Sequence, residues 1–482
     1  MKIIASLFVA LVTLSMVSAL TFVQLQQQFQ GKILQQSTGS AFNDARFGYN
    51  YRYNRIPRYI LQCTSTNDVL LALDFAQTGS ETATVPQLQV SVRSGGHSAE
   101  MFGVLDDRIV IDVSLMKNIS VDINQMTITA QPGLKWVEFY NYTINNYQVG
   151  TPGGSCPSVG IGGLSLGGGA NDLSTVYGMN LDNILELEVV LANRTVVTAS
   201  YSQNPDLFWA LRGAGHGGFG IVTRMTYRAH SLRPKYYSAW ITYNWSDFET
   251  VLAKVSSFAE SMPDIINLYF TAFVSGNKAG NQTDPIINLS CFSNGDPLDA
   301  EQYCGQFRNF DGVTPVSFFT TTQSYYDTVR TGTDPKFRRS FTKGSFLTEL
   351  SKKSIKRIKT VMESSPITTF NYNTARLNLY WQGGQMLNQE RNFTAYVHRT
   401  YPWNAVWLAS YVTSEMEDTY HQWINKATKK MEPFSSGEVY QNYPDAELEN
   451  WQDAYYAENY DRLVQIKAAY DPTNYFSYPQ SI

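Results

Sequence analysis

The chain has 482 residues, which is too long for one ordinary hydrophobic core, so we expect two or more domains. Its net charge is −4, and this acidic balance gives no support to a nucleic-acid partner. Charged residues make up 16% of the chain and aromatic residues 14%, a composition typical of a folded, secreted globular protein rather than a disordered one.

Residues 1–19 have the pattern of a secretory signal peptide. Lys2 gives the positive start, an apolar run follows from Ile3 to Val17, and small residues precede an expected cleavage before Leu20. The alternative is a membrane anchor, for which the run is short, and no later stretch is apolar enough to span a bilayer. Export is also indicated by seven N-x-Ser/Thr sequons, at Asn118, Asn141, Asn193, Asn244, Asn281, Asn288 and Asn392. We therefore expect a secreted glycoprotein without a membrane anchor.

Hydrophobic periodicity predicts alternating strands and helices over residues 20–231, which favours α+β packing. The segment 20–48 is predicted to be partly helical, with one face formed by Phe22, Leu25, Phe29 and Ile33. Thr66 is predicted to cap a helix over 69–77, and further helices are predicted at 134–145 and 206–211. Strands are predicted at 58–63, 88–92, 108–112, 126–130, 185–191, 195–198 and 221–227, the pair around the turn at 192–194 forming a hairpin.

The pattern changes after Arg233-Pro234. Strands are predicted at 238–243, 266–274, 376–381 and 405–412, and helices at 248–261, 345–364 and 418–430. Residues 232–425 are therefore expected to form a sheet-based substrate domain that is covered by helices on one face.

Eight glycines are concentrated between Thr151 and Gly169, around the single cysteine Cys156. Glycine permits positive φ angles and close approach of a ligand, and a dense run leaves backbone N–H groups able to bind an anion such as a diphosphate. A flexible linker is the alternative, but linkers rarely interleave Pro, Cys, Val, Ile and Leu. The segment Val92-Arg-Ser-Gly-Gly-His-Ser98, about 60 residues earlier, strengthens the interpretation of a cofactor cradle.

These two segments together resemble the berberine bridge enzyme-like family of flavoprotein oxidases. The second segment reads Gly153-Gly-Ser-Cys-Pro-Ser-Val-Gly-Ile-Gly-Gly163. The resemblance continues in 206–223, which contains G-A-G-H-G-G-F-G-I-V-T, then in Tyr440-Gln-Asn-Tyr-Pro-Asp445, in 470–476 and in 480–482. It covers nearly the whole chain after the predicted signal, in the order of the family.

The resemblance implies an α+β fold with an FAD-binding domain of the p-cresol methylhydroxylase/vanillyl-alcohol oxidase type. That domain has two α+β subdomains that hold FAD between them. Its N-terminal part is expected at 20–231, a C-terminal segment at 426–482 returns to it, and it is joined to an antiparallel-sheet substrate domain. In members with two covalent bonds to flavin, the positions of His97 and Cys156 bond to the 8α-methyl group and to ring carbon 6. The residues implied to contact FAD are His97, Cys156, Arg93, Ser94, Gly95, Gly96, Ser98, Gly153, Gly154, Val159, Gly160, Gly162, Gly163, Gly220, Ile221 and Val222.

The resemblance also implies a chemistry. A valine at the position of Val159 is typical of members that let dioxygen reach the flavin, whereas a bulkier residue blocks it. Hydride transfer requires a base for the substrate proton, and the position of Tyr443 carries it in many members, with Tyr380 aligned to a second active-site tyrosine. Because a tyrosine titrates near pH 10, its ionisation needs a cation, a second phenol or a charge network.

Two departures from the family pattern bear on function. Asn388 aligns with the glutamate of the alkaloid-forming members, and Glu390 lies two positions away, which argues against ring closure by carbon–carbon bond formation. Gly218 stands where the family usually has asparagine before Phe219-Gly220, and His216 lies nearby, which puts one flavin or packing contact in doubt.

The leading expectation is a secreted oxidase that converts a sugar C1 hydroxyl to a lactone and reduces dioxygen to hydrogen peroxide. The alternatives are oxidation of an aromatic, allylic or secondary-metabolite alcohol, and a ligand-binding glycoprotein without turnover. If Cys156 bonds to flavin, Cys291 and Cys304 are close enough in sequence to pair, leaving Cys63 as a thiol, although other pairings stay open. No metal site is assigned, and the oligomeric state is not predicted.

Overall fold

The structure is a computed structural model that describes residues 19–79, 88–275, 285–332, 338–366 and 373–482. Two sequence predictions lie outside these residues, the signal peptide apart from its last position and the sequon at Asn281. No helix in the described ranges is both long and apolar enough to cross a membrane.

The first half of the chain contains seven helices and eleven short strands within the described residues. The helices are α1 (Phe22–Gln28), α2 (Ser40–Arg46), α3 (Thr66–Thr78), α4 (Trp136–Tyr147), α5 (Ile161–Gly167), α6 (Ser174–Tyr177) and α7 (Pro205–Ala214). The strands are β1 (Lys32–Leu34), β2 (Tyr59–Gln62), β3 (Val90–Arg93), β4 (Ile109–Asp112), β5 (Ile119–Asp122), β6 (Thr127–Ala130), β7 (Val149–Gly150), β8 (Ile184–Val190), β9 (Val196–Ser200), β10 (Ile221–Arg228) and β11 (His230–Ser231).

These strands form two main sheets. The first has the order β1-β2-β4-β3, with β4 parallel to both of its neighbours. The second is antiparallel with the order β5-β6-β10-β8-β9, so the predicted hairpin at 185–198 is confirmed. Strand β3 ends at Arg93, immediately before the segment that carries His97. The edge of the first sheet therefore delivers one of the two predicted flavin-binding segments.

The second half contributes β12 (Tyr236–Asn244), β13 (Ile266–Ser275), β14 (Ile286–Ser293), β15 (Ser317–Gln323), β16 (Arg339–Leu347), β17 (Thr374–Trp381) and β18 (Trp403–Tyr411). They form one antiparallel sheet with the order β15-β12-β14-β13-β17-β18-β16. The helices are α8 (Phe248–Ser261), α9 (Pro297–Cys304), α10 (Tyr325–Arg330), α11 (Lys352–Glu363), α12 (Glu417–Met431), α13 (Trp451–Tyr456) and α14 (Tyr460–Tyr470).

The two faces of this seven-stranded sheet differ in chemistry, because side chains alternate along each strand. One face buries apolar residues such as Ile241, Leu268 and Leu377 beneath α8, α11 and α12. The opposite face carries the intervening residues, including Trp240, Tyr269 and Asn378, and lines a cavity. The sheet therefore combines a hydrophobic core on one side with a polar and aromatic wall on the other. A disulfide between Cys291 and Cys304, with 5.8 Å between their Cα atoms, ties β14 to α9.

Three predicted elements were wrong in detail. Ile33 lies in β1 rather than on a helix face, because the helix α1 already ends at Gln28. The cap of α3 is Ser65, whose hydroxyl accepts from the Asp68 N–H, so Thr66 is the first helical residue. The helix predicted over 345–364 begins only at Lys352, because Ser345 still belongs to β16, which ends at Leu347.

The C-terminal segment returns to the first half of the chain. The Lys467 ammonium donates to the carbonyls of Gly218 and Phe476, at 2.6 and 2.9 Å, and pairs with Asp471. Gly218 has φ +85°, and a Cβ there would lie 2.2 Å from the Phe476 oxygen. The departure from asparagine at this position therefore has a packing reason, because only glycine leaves room for the returning backbone.

Candidate functional site

A cavity of about 890 Å³ lies between the glycine-rich segments of the first half and the polar face of the seven-stranded sheet. This volume is in the upper part of the roughly 300–1,000 Å³ range of ligand sites. The predicted site residues that line it are Arg93, Ser94, Gly95, Gly96, His97, Ser98, Gly154, Cys156, Val159, Gly160, Gly162, Gly163, Gly220, Ile221, Val222, Tyr380 and Tyr443. Gly153 lies outside this lining, packed against the Trp136 ring so closely that a Cβ would come within 2.4 Å of it.

The segment that carries His97 is fixed from several sides. The Arg93 guanidinium, at the end of β3, forms a 2.9 Å ion pair with Asp112. The Ser94 hydroxyl donates to the Pro132 carbonyl at 2.6 Å. Gly96 has φ +68°, a conformation that glycine adopts without strain, and its carbonyl accepts from the Tyr49 N–H. These contacts hold the His97 ring at the cavity wall.

The segment that carries Cys156 lies between β7 and α5 and is supported by the start of α4. The N–H groups of Trp136 and Val137 donate to the carbonyls of Val159 and Pro157. Ser158 stands between the two predicted attachment residues. Its hydroxyl oxygen lies 2.7 Å from the His97 Nε2 and 3.6 Å from the Cys156 Sγ. Two side chains 59 positions apart in sequence thus meet at one hydroxyl group.

The space around Gly95 and Gly163 shows that these segments suit a flat cofactor. The Cα of Gly95 packs directly on the backbone of Gly160, and a Cβ on Gly95 would lie 2.4 Å from the Gly160 nitrogen. At Gly163, by contrast, a Cβ would have only His216 nearby, 3.9 Å away, and would otherwise point into the cavity. Gly95 and Gly160 therefore hold the two segments in direct contact, whereas Gly163 leaves room for a ligand in the cavity. With a histidine and a cysteine at the same wall, the donor set fits FAD.

Tyr443 and Tyr380 lie together in the cavity lining. The Tyr443 loop is fastened to the glycine-rich segment, because the Tyr440 hydroxyl accepts from the Gly169 N–H at 2.6 Å and from the Asn442 amide at 2.7 Å. Burial raises the pKa of Tyr443 well above 10, and the neighbouring phenols of Tyr380 and Tyr440 raise it further. A hydrogen bond joins Tyr443 to Tyr380. The two phenols therefore form a pair whose ionisation is coupled.

The charge of this pair is best accommodated on Tyr380. Burial raises the pKa of Tyr380, but the charge of Arg376 and the hydrogen bonds from Tyr443 and Asn378 oppose that rise. The Asn378 amide donates to the Tyr380 hydroxyl at 3.0 Å. Arg376, Asn378 and Tyr380 alternate along one face of β17, so a single strand places all three at the cavity.

Sequence reasoning missed several residues at this site. The Tyr49 ring stacks on the His97 ring with 4.7 Å between their centroids, and Arg376, Asn378 and Ser158 were also not singled out. Ser158 lies in the glycine-rich segment of Cys156, but nothing in the sequence shows that its hydroxyl meets His97. Tyr49, Arg376 and Asn378 lie outside the glycine-rich motifs, although alternation along β17 from Tyr380 could have indicated the two β17 residues. Asn388 and Glu390, which were compared with the alkaloid-forming members, are both exposed and do not line the cavity.

Asp172 is a buried carboxyl group at the cavity wall that the sequence did not single out. It is 7% exposed, and it hydrogen-bonds to Tyr269 on β13, whose ring packs edge-on against Tyr380 at 5.4 Å. In the described part of the chain, no basic side chain comes within salt-bridge distance of it. Burial therefore dominates and raises the pKa of Asp172 from 3.8 to about 7.

Asp172→Asn is expected to change how stability depends on pH. Because the pKa of Asp172 is raised in the folded state, its contribution to folding is complete below pH 4 and is lost as the pH rises to about 7. The amide keeps an oxygen for Tyr269 and carries no charge, so the variant gains up to about 4 kcal/mol over wild type at pH 8 and almost nothing at pH 4. Thermal unfolding at both pH values measures this difference. Parallel pH profiles for the two proteins would contradict it.

Comparison with known proteins agrees with this geometry. Residues 57–200 match the FAD binding domain family, and residues 439–482 match the berberine and berberine like family. An FAD-linked oxidoreductase of Bacillus subtilis, YgaK, is 30% identical over 92% of this chain and 94% of its own. The chain belongs to the berberine bridge enzyme-like family. It is an FAD-linked oxidoreductase.

Other members of the berberine bridge enzyme-like family are similar over most of their length. A xylooligosaccharide oxidase of Thermothelomyces thermophilus is 27% identical, with 82% of each chain covered. The solved structure of a variant of BBE-like 1 from Physcomitrella patens has a TM-score of 0.83 and 25% identity, covering 96% of this chain and 99% of that one. The predicted fold class, an FAD-binding domain of the vanillyl-alcohol oxidase type with an antiparallel-sheet domain, is thereby confirmed.

Proposed function

We propose that this protein is an oxidase in which His97 and Cys156 both bond to FAD, and which oxidises the C1 hydroxyl of a sugar with dioxygen as the acceptor. The observation that carries the proposal is the meeting of the two side chains at the Ser158 hydroxyl. Tyr443 and Tyr380 line the same cavity and supply a base. The cavity that these groups line has a volume of about 890 Å³, which leaves room for both a cofactor and a substrate.

The residues of the site have separate roles in alcohol oxidation. FAD, when bound, supplies the hydride acceptor. The Tyr443–Tyr380 pair accepts the substrate hydroxyl proton when it carries one negative charge, and Arg376 and Asn378 stabilise that charge on Tyr380 before the transfer, which neutralises it. His97, held by Tyr49 and its segment contacts, and Cys156 fix the cofactor. Attachment from two sides suits a cavity that must stay open to a large substrate.

The rim of the cavity supports a sugar substrate. Among the described residues, Trp240 and Phe319 are the tryptophan and the phenylalanine with the greatest exposure, at 36% and 61%. They lie side by side on β12 and β15 with 6.0 Å between their ring centroids. Such rings can pack on the apolar face of a pyranose. The neighbouring Ser238 and Ser290 offer hydroxyl groups for its polar edges.

Two further parts of the proposal rest on particular residues. Val159 lines the cavity beside Cys156, and its small side chain favours dioxygen as the acceptor, with hydrogen peroxide as product. Secretion is supported by the Cys291–Cys304 disulfide, since such bonds persist in oxidising compartments. Together with the signal-like residues 1–19 and the sequons, it supports a location outside the cell.

The proposal is tested first through the cofactor. We expect flavin to remain in the acid precipitate of wild type, of His97→Ala and of Cys156→Ala, and to be released from the double variant, because either bond alone retains it. Absorbance and mass of the pellet measure this retention. Release of all flavin from wild type would contradict covalent attachment, and absence of flavin before precipitation would favour a ligand-binding protein.

Peroxide formation then tests the substrate. Mono- and oligosaccharides with a free C1 hydroxyl are compared with benzylic and allylic alcohols of similar size, and lactone formation is followed by mass. Turnover confined to the sugars supports the proposal. Turnover confined to the aromatic or allylic alcohols would replace the sugar by a secondary-metabolite alcohol, and no turnover with any of them would oppose catalysis.

A further inference from the structure

Arg376 is a cation on the cavity wall without a counter-ion among the described residues. Its side chain is half-buried, and its Nε is buried without a hydrogen-bond partner. No described carboxylate lies within 4.0 Å of its guanidinium, whereas the other arginine of the lining, Arg93, is paired with Asp112 at 2.9 Å. Removing a charge from water is unfavourable unless a partner compensates it.

Among the residues that the structure describes, the neighbours of Arg376 do not compensate its charge. On the neighbouring strands its register partners are Phe273 on β13 and Leu408 on β18. The Phe273 ring centroid lies 5.7 Å from the guanidinium carbon, which makes a weak cation–π contact. The charge of Arg376 acts on the phenols of Tyr380 and Tyr49, both of which stay protonated near neutral pH. None of these groups is an anion at that pH.

The charge balance of the cavity differs from that of the whole protein. The chain carries a net charge of −4. Yet the part of the cavity lining that the structure describes contains one acidic residue, Asp172, which contacts the phenol of Tyr269 rather than Arg376. Among the described residues that line the cavity, Arg376 is thus the arginine that lacks a carboxylate partner.

We propose that Arg376 forms a subsite for a carboxylate carried by the substrate, so that the enzyme prefers acidic sugars such as uronic acids to neutral ones. The planar guanidinium can bind both oxygens of a carboxylate, which a lysine cannot reproduce. The apolar side of Phe273 and the amide of Asn378 border this subsite. This inference rests on the proposed sugar-oxidising function and names the class of sugar.

Binding without turnover tests the subsite independently of catalysis. Methyl β-glucuronide and methyl β-glucoside lack a free C1 hydroxyl and differ in the carboxylate. We expect the glucuronide to raise the melting temperature of the flavin-loaded enzyme at lower concentration than the glucoside, and Arg376→Gln to remove the difference. Equal binding of the two glycosides to wild type would overturn the inference.

Turnover gives the second readout, as the ratio of kcat/KM for glucuronate to that for glucose. Arg376→Gln is expected to lower this ratio by about 10- to 100-fold, the range of hydrogen bonds to a charged group, and Arg376→Lys by less. An effect of Arg376 on the tyrosine pair would lower kcat/KM for both sugars equally and leave the ratio unchanged. An equal loss of kcat/KM on both sugars would therefore show that Arg376 acts on the base, and it would overturn the subsite. Reduced flavin content in Arg376→Gln would also overturn it, by assigning the cation to the cofactor.

The two proposals fail in different ways. Oxidation of neutral sugars by a wild-type enzyme that does not prefer glucuronate would refute the subsite and leave the proposed function standing. Selective binding of methyl β-glucuronide without oxidation of any sugar would support the subsite and refute the proposed function.

Discussion

Tyr443→Phe is expected to lower kcat/KM by about 10²- to 10⁴-fold, the usual contribution of a positioned base. The variant keeps the ring in its packing but removes the phenol that hydrogen-bonds to Tyr380, so the substrate proton loses its relay to the phenol whose charge Arg376 stabilises. Because burial raises the pKa of both phenols, activity of wild type should rise with pH toward the alkaline range, and the variant should lose that rise. Steady-state kinetics across pH measures both effects.

Tyr440→Phe is the matched control for this prediction. Its ring packs on Tyr443 with 5.3 Å between centroids, but its hydroxyl serves the Gly169 N–H and the Asn442 amide. Losing that acceptor is expected to destabilise the fold by about 1–3 kcal/mol. Since the pair keeps both phenols, kcat/KM should fall less than 10-fold. A similar loss of kcat/KM in both variants would show that loop stability, rather than the base, accounts for the effect of Tyr443.

Gly95→Ala is expected to abolish flavin retention and to destabilise the protein by about 1–3 kcal/mol, the range of overpacked sites. The added Cβ would lie 2.4 Å from the Gly160 nitrogen and 2.6 Å from its Cα. Both are backbone atoms, so the two segments must separate, and His97 and Cys156 would then no longer meet at Ser158. Flavin absorbance in the acid precipitate and thermal unfolding measure the two losses.

Gly163→Ala separates folding from cofactor binding. This glycine lies within α5, where alanine is favoured by roughly 0.5–1 kcal/mol, and the new methyl group meets only His216 at 3.9 Å. The variant should therefore fold at least as stably as wild type while holding less flavin, because the methyl group occupies cofactor space. Full flavin retention in Gly95→Ala would show that the contact between the two segments is not required for attachment.

Much of the fold could be predicted from local pattern. The helix over 248–261 begins and ends where the periodicity predicts, and the strands at 221–228 and 266–275 agree within two residues. Strands β14, β15 and β16 were missed. Their sequences interrupt the alternation of a half-buried strand, at Ile286-Ile287 in β14, at Phe318-Phe319 in β15 and at Lys343-Gly344 in β16.

The site residues, like the strands, could be predicted from the sequence only where a local motif marks them. Glycine-rich motifs led to His97 and Cys156, and the motif Tyr440-Gln-Asn-Tyr-Pro-Asp445 led to Tyr443; the cavity brings these three together. Arg376 could not be assigned a role, because its importance depends on the register that places it between Phe273 and Leu408. Asp172 was equally hidden, since only burial distinguishes it from an ordinary loop aspartate. The domain boundaries at 231 and 425 stay predictions.

The contact between Lys467 and Gly218 has a consequence for biosynthesis. The turn at Gly218 is completed by residues about 250 positions later, which leave the ribosome long after the first half has been made. Contacts between residues so far apart in sequence form slowly. Until they form, the first half of the chain exposes surface that chaperones must protect. The seven-stranded sheet, in contrast, can form before residue 467 is synthesised. Cofactor loading should therefore follow translation, and a nascent chain arrested before residue 460 should carry no flavin.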